Sequence, residues 1–232
     1  MKVVERFQYQ KTIDEICQLE WDSLTAHDMI CVAWAYYYFS IQFRENLKIA
    51  RSIYPNDEKL KDLEREECDT DNLSPWPGVA DVGEKMNHDE YMRRVLEMHS
   101  IDLSQVRYFK SVGEGYLEEM RGLDDVSRAL SIASYEDGGL ERIFRAILEF
   151  RHWDNALLGA FRHFLSEHIR FDCDPTQGHG ALSRHLRPDD RVLPLWSSFK
   201  SILITCVPRL SPWSGSGSEL PAWEGSIAQQ ES

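Results

Sequence analysis

The stretch H27DMICVAWAYYYFSIQFRENLKIARSI53 is the longest apolar-rich run in the chain. Its apolar side chains fall on several sides of a helix instead of one stripe. That pattern predicts a central helix buried among others. Tyr54-Pro55-Asn56 stops it, because proline cannot continue the ladder. Working outward, Thr12–Leu24 reads as a short amphipathic helix and Asn56–Glu67 as a charged one. His88–His99, Asp102–Arg121 and Trp153–Phe171 continue the helical period. Leu123–Phe150 is helical apart from Gly138-Gly139, a pair that costs about 2 kcal/mol against alanines and predicts a kink or break. The last helix starts at Pro188, a first-turn proline, and runs to about Val207. Alternating Val/Ile/Thr is scarce and no hairpin signal stands out. The fold class expected is all-α, a bundle of about seven to eight helices. One long irregular loop, CDTDNLSPWPGVADVGE, begins at Cys68.

The 232 residues suffice for one domain with a substantial core. Its expected limits are residues 1–210, followed by a Ser/Gly/Pro-rich tail over 211–232. A formal net charge of −13 argues against nucleic acid and anionic membrane surfaces as partners, since both select basic patches. The five cysteines are scattered, with no CxxC pair, which reads as reduced thiols. The beginning MKVVERFQYQ lacks an apolar signal core, and no run approaches the ~18 apolar residues of a membrane span. The expected location is the cytoplasm. A homodimer is left open.

Chemistry concentrates in E167HIRFDCDPTQGHGALSRH185. On one continuing helix, His168, Asp172 and His179 fall within roughly 40° of one another. Two imidazoles and a carboxylate on one face suit Fe, Mn or Zn. The plainer reading is a polar helix end. In the stretch from Leu63 to Leu96, Glu66 and Glu67 close one helix and His88 opens the next, with Glu84 four residues before it. Taken alone, these are a solvated charge run and a polar helix start. Glu136 shares the phase of Ile132 and Ala133. A carboxylate on such a face needs a metal or a buried partner such as Arg44. Together, three regions offer three imidazoles and three carboxylates.

This order of residues resembles the haem-oxygenase-like diiron oxidases and oxygenases, which share the helical fold of haem oxygenase and thiaminase II. In that family a helix ends in a Glu pair, and a loop leads to a His followed by a pattern that REEC…NHDEYMRRVL matches. A lone Glu on a later helix matches Glu136, and HIRFD matches the first two ligands of the closing His-x3-Asp-x2-His motif. Six residues, not two, separate Asp172 from His179. About one added helical turn would account for the difference, and it leaves Asp172 and Asp174 both open. The likeness spans roughly Ala26 to Leu210.

The resemblance implies two non-haem iron ions held by Glu66, His88, Glu136, His168, Asp172 and His179. Glu66 is preferred over Glu67 on the family pattern, with Glu84 a competitor. It implies an oxidoreductase that activates O2 through a peroxo-diiron species. The substrate would be a small organic molecule, oxidised by N-oxygenation or by oxidative C–C cleavage of an amino acid or fatty-acid-like compound, a biosynthetic role. Tyr37, Phe43 and Arg44 on the aromatic helix are expected to line the substrate pocket. Two other classes compete: a metal-free hydrolase or cofactorless oxidase of the same fold, with Cys173 the thiol beside the site, and a non-catalytic helical binding protein.

Overall fold

The computed structural model describes residues 7–99, 101–172 and 178–211, except for the side chain of Asp172. Ten α-helices form among these residues: α1 Gln8–Cys17, α2 Ala26–Ile53, α3 Glu58–Cys68, α4 His88–Glu97, α5 Leu103–Arg121, α6 Asp125–Glu136, α7 Gly139–Ile147, α8 Ala156–Asp172, α9 His179–Ser183 and α10 Leu193–Cys206. The described residues contain no strand. Two isolated antiparallel bridges, Thr70 with Met86 and Trp76 with Ala80, brace the long loop between α3 and α4.

Polar side chains set the helix starts, as orphan N–H groups require. Thr25 and Asp28 form a reciprocal capping box on α2. Asp57, Asn87, Asp102 and Asp124 cap α3, α4, α5 and α6 in the same sense. Gly138 adopts φ +87, a left-handed conformation that ends the α6 segment and starts α7. The break expected at Gly138-Gly139 is therefore there.

Helix α2 is the centre. It packs on α3, α4, α5, α6, α8 and α10, which explains why its apolar residues surround the axis. The ring of Tyr36 lies 5.4–6.5 Å from those of Phe39, Phe144, Phe161, Phe164 and Phe199. That cluster ties α2 to α7, α8 and α10. Each such buried aromatic contributes about 1.5–3 kcal/mol relative to exposure. Among the described residues, no helix is long and apolar enough to cross a membrane.

The expected seven to eight helices become ten. The stretch Leu123–Phe150 divides at its glycines into α6 and α7. A five-residue helix, α9, forms from a Gly- and Ser-containing stretch too short to show a period. The first helix lies at Gln8–Cys17, earlier than the expected Thr12–Leu24, because Leu19 and Trp21 turn inward. The tail expected over 211–232 lies outside the described residues from 212 onward.

Candidate metal centre

Glu67 is the last but one residue of α3. Leu60, Leu63 and Glu67 are the buried positions of that helix, at offsets of three and seven. One apolar stripe thus ends in a carboxylate that is 5% exposed. Glu66 lies 100° further round. Its side chain is 45% exposed and lies 3.9 Å from the Arg65 guanidinium. The expectation for Glu66 is thereby corrected: it faces outward, and Glu67 takes the inward place. Glu84 also stays at the surface, paired with Arg94 at 2.8 Å.

His88 opens α4, where the Asn87 cap sets the first turn. Its Nδ1 stands 2.7 Å from Glu67 Oε2 and 3.0 Å from His168 Nε2. His168 continues the apolar stripe of α8 after Leu157, Phe161 and Phe164, and its ring stacks on Phe164 at 4.1 Å. The hydrogens of both rings are committed away from this convergence. Nδ1 of His168 donates to the Phe164 carbonyl at 2.8 Å. Nε2 of His88 donates to Asn72 Oδ1 at 3.2 Å. Glu67 Oε2, His88 Nδ1 and His168 Nε2 therefore meet as three lone pairs.

A second group shares the same carboxylate. His179, the first residue of α9, brings Nδ1 to 2.9 Å from Glu67 Oε1 and 3.2 Å from Glu136 Oε2. The 2.9 Å approach lacks hydrogen-bond geometry, so Glu67 Oε1 receives no hydrogen bond there. Glu136 is the last residue of α6 and is 4% exposed. Helix α9 can lie against the end of α6 because Gly180 has no side chain. A Cβ there would sit 2.8 Å from the Glu136 carbonyl oxygen.

The electrostatics follow from burial. Desolvation by itself would raise the Glu67 carboxyl, but the positive charge that the His88 and His179 rings bear when protonated outweighs it and holds the group well below the usual carboxylate range. Burial, with the neighbouring His88, pushes His168 down to about 3, so it stays neutral and keeps its lone pair at physiological pH.

Two triads, Glu67–His88–His168 and Glu67–Glu136–His179, thus keep their donor atoms within 4.8 Å of one another, every member buried. Donors bonded at ~2.1 Å to one ion and at right angles stand about 3.0 Å apart. The separations here are 2.7, 3.0, 2.9 and 3.2 Å. Hydrogen bonds have similar lengths, so the ring tautomers carry the distinction. Three converging lone pairs repel unless a cation lies among them, either a proton or a metal ion. The donor set of imidazoles and carboxylates without thiolate suits iron, manganese or zinc.

Of the six residues expected as ligands, His88, Glu136, His168 and His179 come together. The side chain of Asp172, and Asp174 altogether, lie outside the described residues. His179 does not arrive by continued helical phase: α8 ends at Asp172 and the separate helix α9 delivers it. Glu67 was legible as the third point of the Leu60–Leu63 stripe. Asn72, in the loop, carried no sequence signal.

A cavity adjoins the cluster. Its walls include Tyr36, Phe39, Phe43, Leu140 and Phe164, together with Arg44 and Asp89, and the space left inside is about 20 Å³. That holds an ion or one water molecule. Phe43 and Arg44, expected at a substrate pocket, line this small cavity. Tyr37 does not: Tyr36 takes that direction, and Tyr37 faces a groove between α2, α4 and α5. Arg44 makes a bidentate pair with Asp89 at 2.7 and 2.8 Å. Cys68 also lines the cavity, and burial pushes its thiol up to about 12. Cys173 lies outside the described residues. No protein-family model, curated protein or solved structure matches this chain.

Proposed function

We propose that the chain is a non-haem dimetal oxidoreductase, with iron the metal, that uses O2 to oxidise a small organic substrate. The observation that carries this reading is Glu67. One buried carboxylate turns one oxygen to each of two Glu/His triads, the arrangement that a pair of ions sharing a ligand requires. His88 and His168 would hold one ion, Glu136 and His179 the other, and Glu67 both. The haem-oxygenase-like topology and a cytoplasmic location belong to the same proposal.

Bound iron would supply the capacity to reduce O2 and oxidise the substrate. The chain's own part is positional. Phe164, through its ring and carbonyl, holds His168 in one orientation and tautomer. Tyr36, Phe39, Phe144 and Phe164 form a dry wall that strengthens every charge interaction at Glu67. Space of about 20 Å³ admits no organic substrate, so the Arg44–Asp89 pair, at the partly exposed end of the cavity, must part for one to enter. The raised thiol of Cys68 makes it a poor nucleophile, which weighs against a thiol-dependent hydrolase there.

Anaerobic titration with Fe2+ tests the proposal. Two ions should bind per chain, and admission of O2 should change the optical spectrum. Glu67→Ala should lose both ions, and His168→Ala should abolish the optical change. Absence of iron binding, or binding indifferent to Glu67→Ala, overturns the assignment.

A further inference from the structure

Asn72 lies outside both triads, yet its amide spans the two elements that build the first of them. Its Nδ2 donates to the Glu66 carbonyl oxygen at 3.1 Å, and its Oδ1 lies 3.2 Å from His88 Nε2. A backbone carbonyl only accepts. The nitrogen of the amide must therefore face Glu66, and the oxygen must face His88. The reverse orientation would set two acceptor oxygens against each other at 3.1 Å. The local chain holds this arrangement, since the Asn72 N–H donates to Thr70 Oγ1 and Thr70 pairs with Met86 across the base of the loop.

This orientation has a consequence for the imidazole. An amide oxygen beside Nε2 calls the ring hydrogen to Nε2 and leaves Nδ1 as the lone pair. Nδ1 is the atom 2.7 Å from Glu67 Oε2 and 3.0 Å from His168 Nε2. On His168 the opposite choice is made, because the Phe164 carbonyl takes the hydrogen of Nδ1 and Nε2 points inward. The two rings thus present different nitrogens to one point, each selected by an acceptor behind it.

Building on the metal reading above, we infer that Asn72 is a positioning residue which makes His88 a metal ligand through Nδ1. It does so by accepting the Nε2 hydrogen while anchored to the last turn of α3, the turn that carries Glu67. Outer partners of ligating histidines typically account for 10- to 100-fold in metal affinity. No other element need move for Asn72 to act: it reads the position of α3 through Glu66 and passes it to the ring of His88.

The test uses the full chain. In the Zn2+-loaded wild-type protein, histidine 15N shifts should show His88 bound through Nδ1, with a slowly exchanging hydrogen on Nε2. Asn72→Ala should lower Co2+ affinity about 10- to 100-fold and speed exchange of that hydrogen. Asn72→Asp retains an acceptor toward Nε2 but loses the donor toward Glu66. It should bind more tightly than Asn72→Ala but less tightly than wild type, because the carboxylate still accepts from Nε2 while its second oxygen faces the Glu66 carbonyl oxygen. Three results overturn the inference while leaving the metal reading intact: His88 binding through Nε2, unchanged affinity in Asn72→Ala, or Asn72→Asp as impaired as Asn72→Ala. The last would mean that only the loop anchor matters. If Asn72→Ala does not fold, the wild-type spectrum and Asn72→Asp decide. Wild-type protein that binds neither Zn2+ nor Co2+ removes the metal reading, and this inference with it.

Discussion

Glu66 and Glu67 are chemically identical neighbours whose surroundings differ by one helical step. Glu67 closes the Leu60–Leu63 stripe, and Glu66 lies beside Arg65 at the surface. Glu67→Gln should therefore lower the affinity for both ions at least tenfold, whereas Glu66→Gln should leave it within about twofold; calorimetric titration of the two variants with Co2+ checks this. At this scale the sequence was partly readable. Side chains on an apolar stripe, such as His168 and Glu136, announce their burial. Asn72 does not, because its role depends on where a loop places an amide. His168 also makes a pH prediction. Burial holds it at about 3 in the folded chain, against an ordinary value near 6.5. The unfolded chain thus takes up a proton between those values while the folded chain does not, and stability of the metal-free protein falls as pH falls through that window. Glu67, held low when folded, adds a loss of the same sign only below about pH 4.5. Between pH 6.5 and 5 the slope from His168 should approach about 1 kcal/mol per pH unit. Urea unfolding at several pH values should show it, and His168→Gln should flatten it.

Among elements, close approach decides more than propensity. Helix α5 lies against α2 at Gly113, where a Cβ would stand 2.2 Å from the Tyr38 ring; at Gly115, two residues on, nothing lies within 4 Å. Gly113→Ala should destabilise by about 1–3 kcal/mol or more through overpacking. Gly115→Ala should stabilise by roughly 0.5–1 kcal/mol through helix propensity. Thermal unfolding of the two variants against wild type reads both signs. Long elements were legible for related reasons. Helix α2 was expected over His27–Ile53 and spans Ala26–Ile53, since an apolar run of that length has no other stable form inside a bundle. Short elements were not. Helix α9 is a single turn held by its surroundings: just past its end, Arg184 pairs with Asp137 and His185 with Asp57. Those contacts are tertiary, so no local pattern announces them. The helical projection that joined His168 to His179 picked two residues that both converge on Glu67, while assuming a continuity that α8 and α9 do not have.

Across the whole molecule, the two triads gather side chains from α3, α4, α6, α8 and α9. The donors come from positions 67 to 179, and the unfolded chain has no means of keeping them together. Ions that bind only the folded arrangement shift the folding equilibrium by mass action. At a free concentration 100 times the dissociation constant, the gain is about 2.7 kcal/mol. For a chain of this size each kcal/mol moves the melting temperature by about 2–4 °C. Each bound divalent ion should therefore raise the melting temperature by roughly 5–11 °C, and chelation should reverse the rise. The rise should grow with the logarithm of metal concentration, which separates linkage from a nonspecific salt effect that saturates through screening. Glu67→Gln should lose most of the rise because it weakens both triads at once. His179→Ala should lose only part, because Glu67, His88 and His168 remain. A melting temperature indifferent to metal in the wild-type protein would mean that the convergence at Glu67 is satisfied by a proton alone.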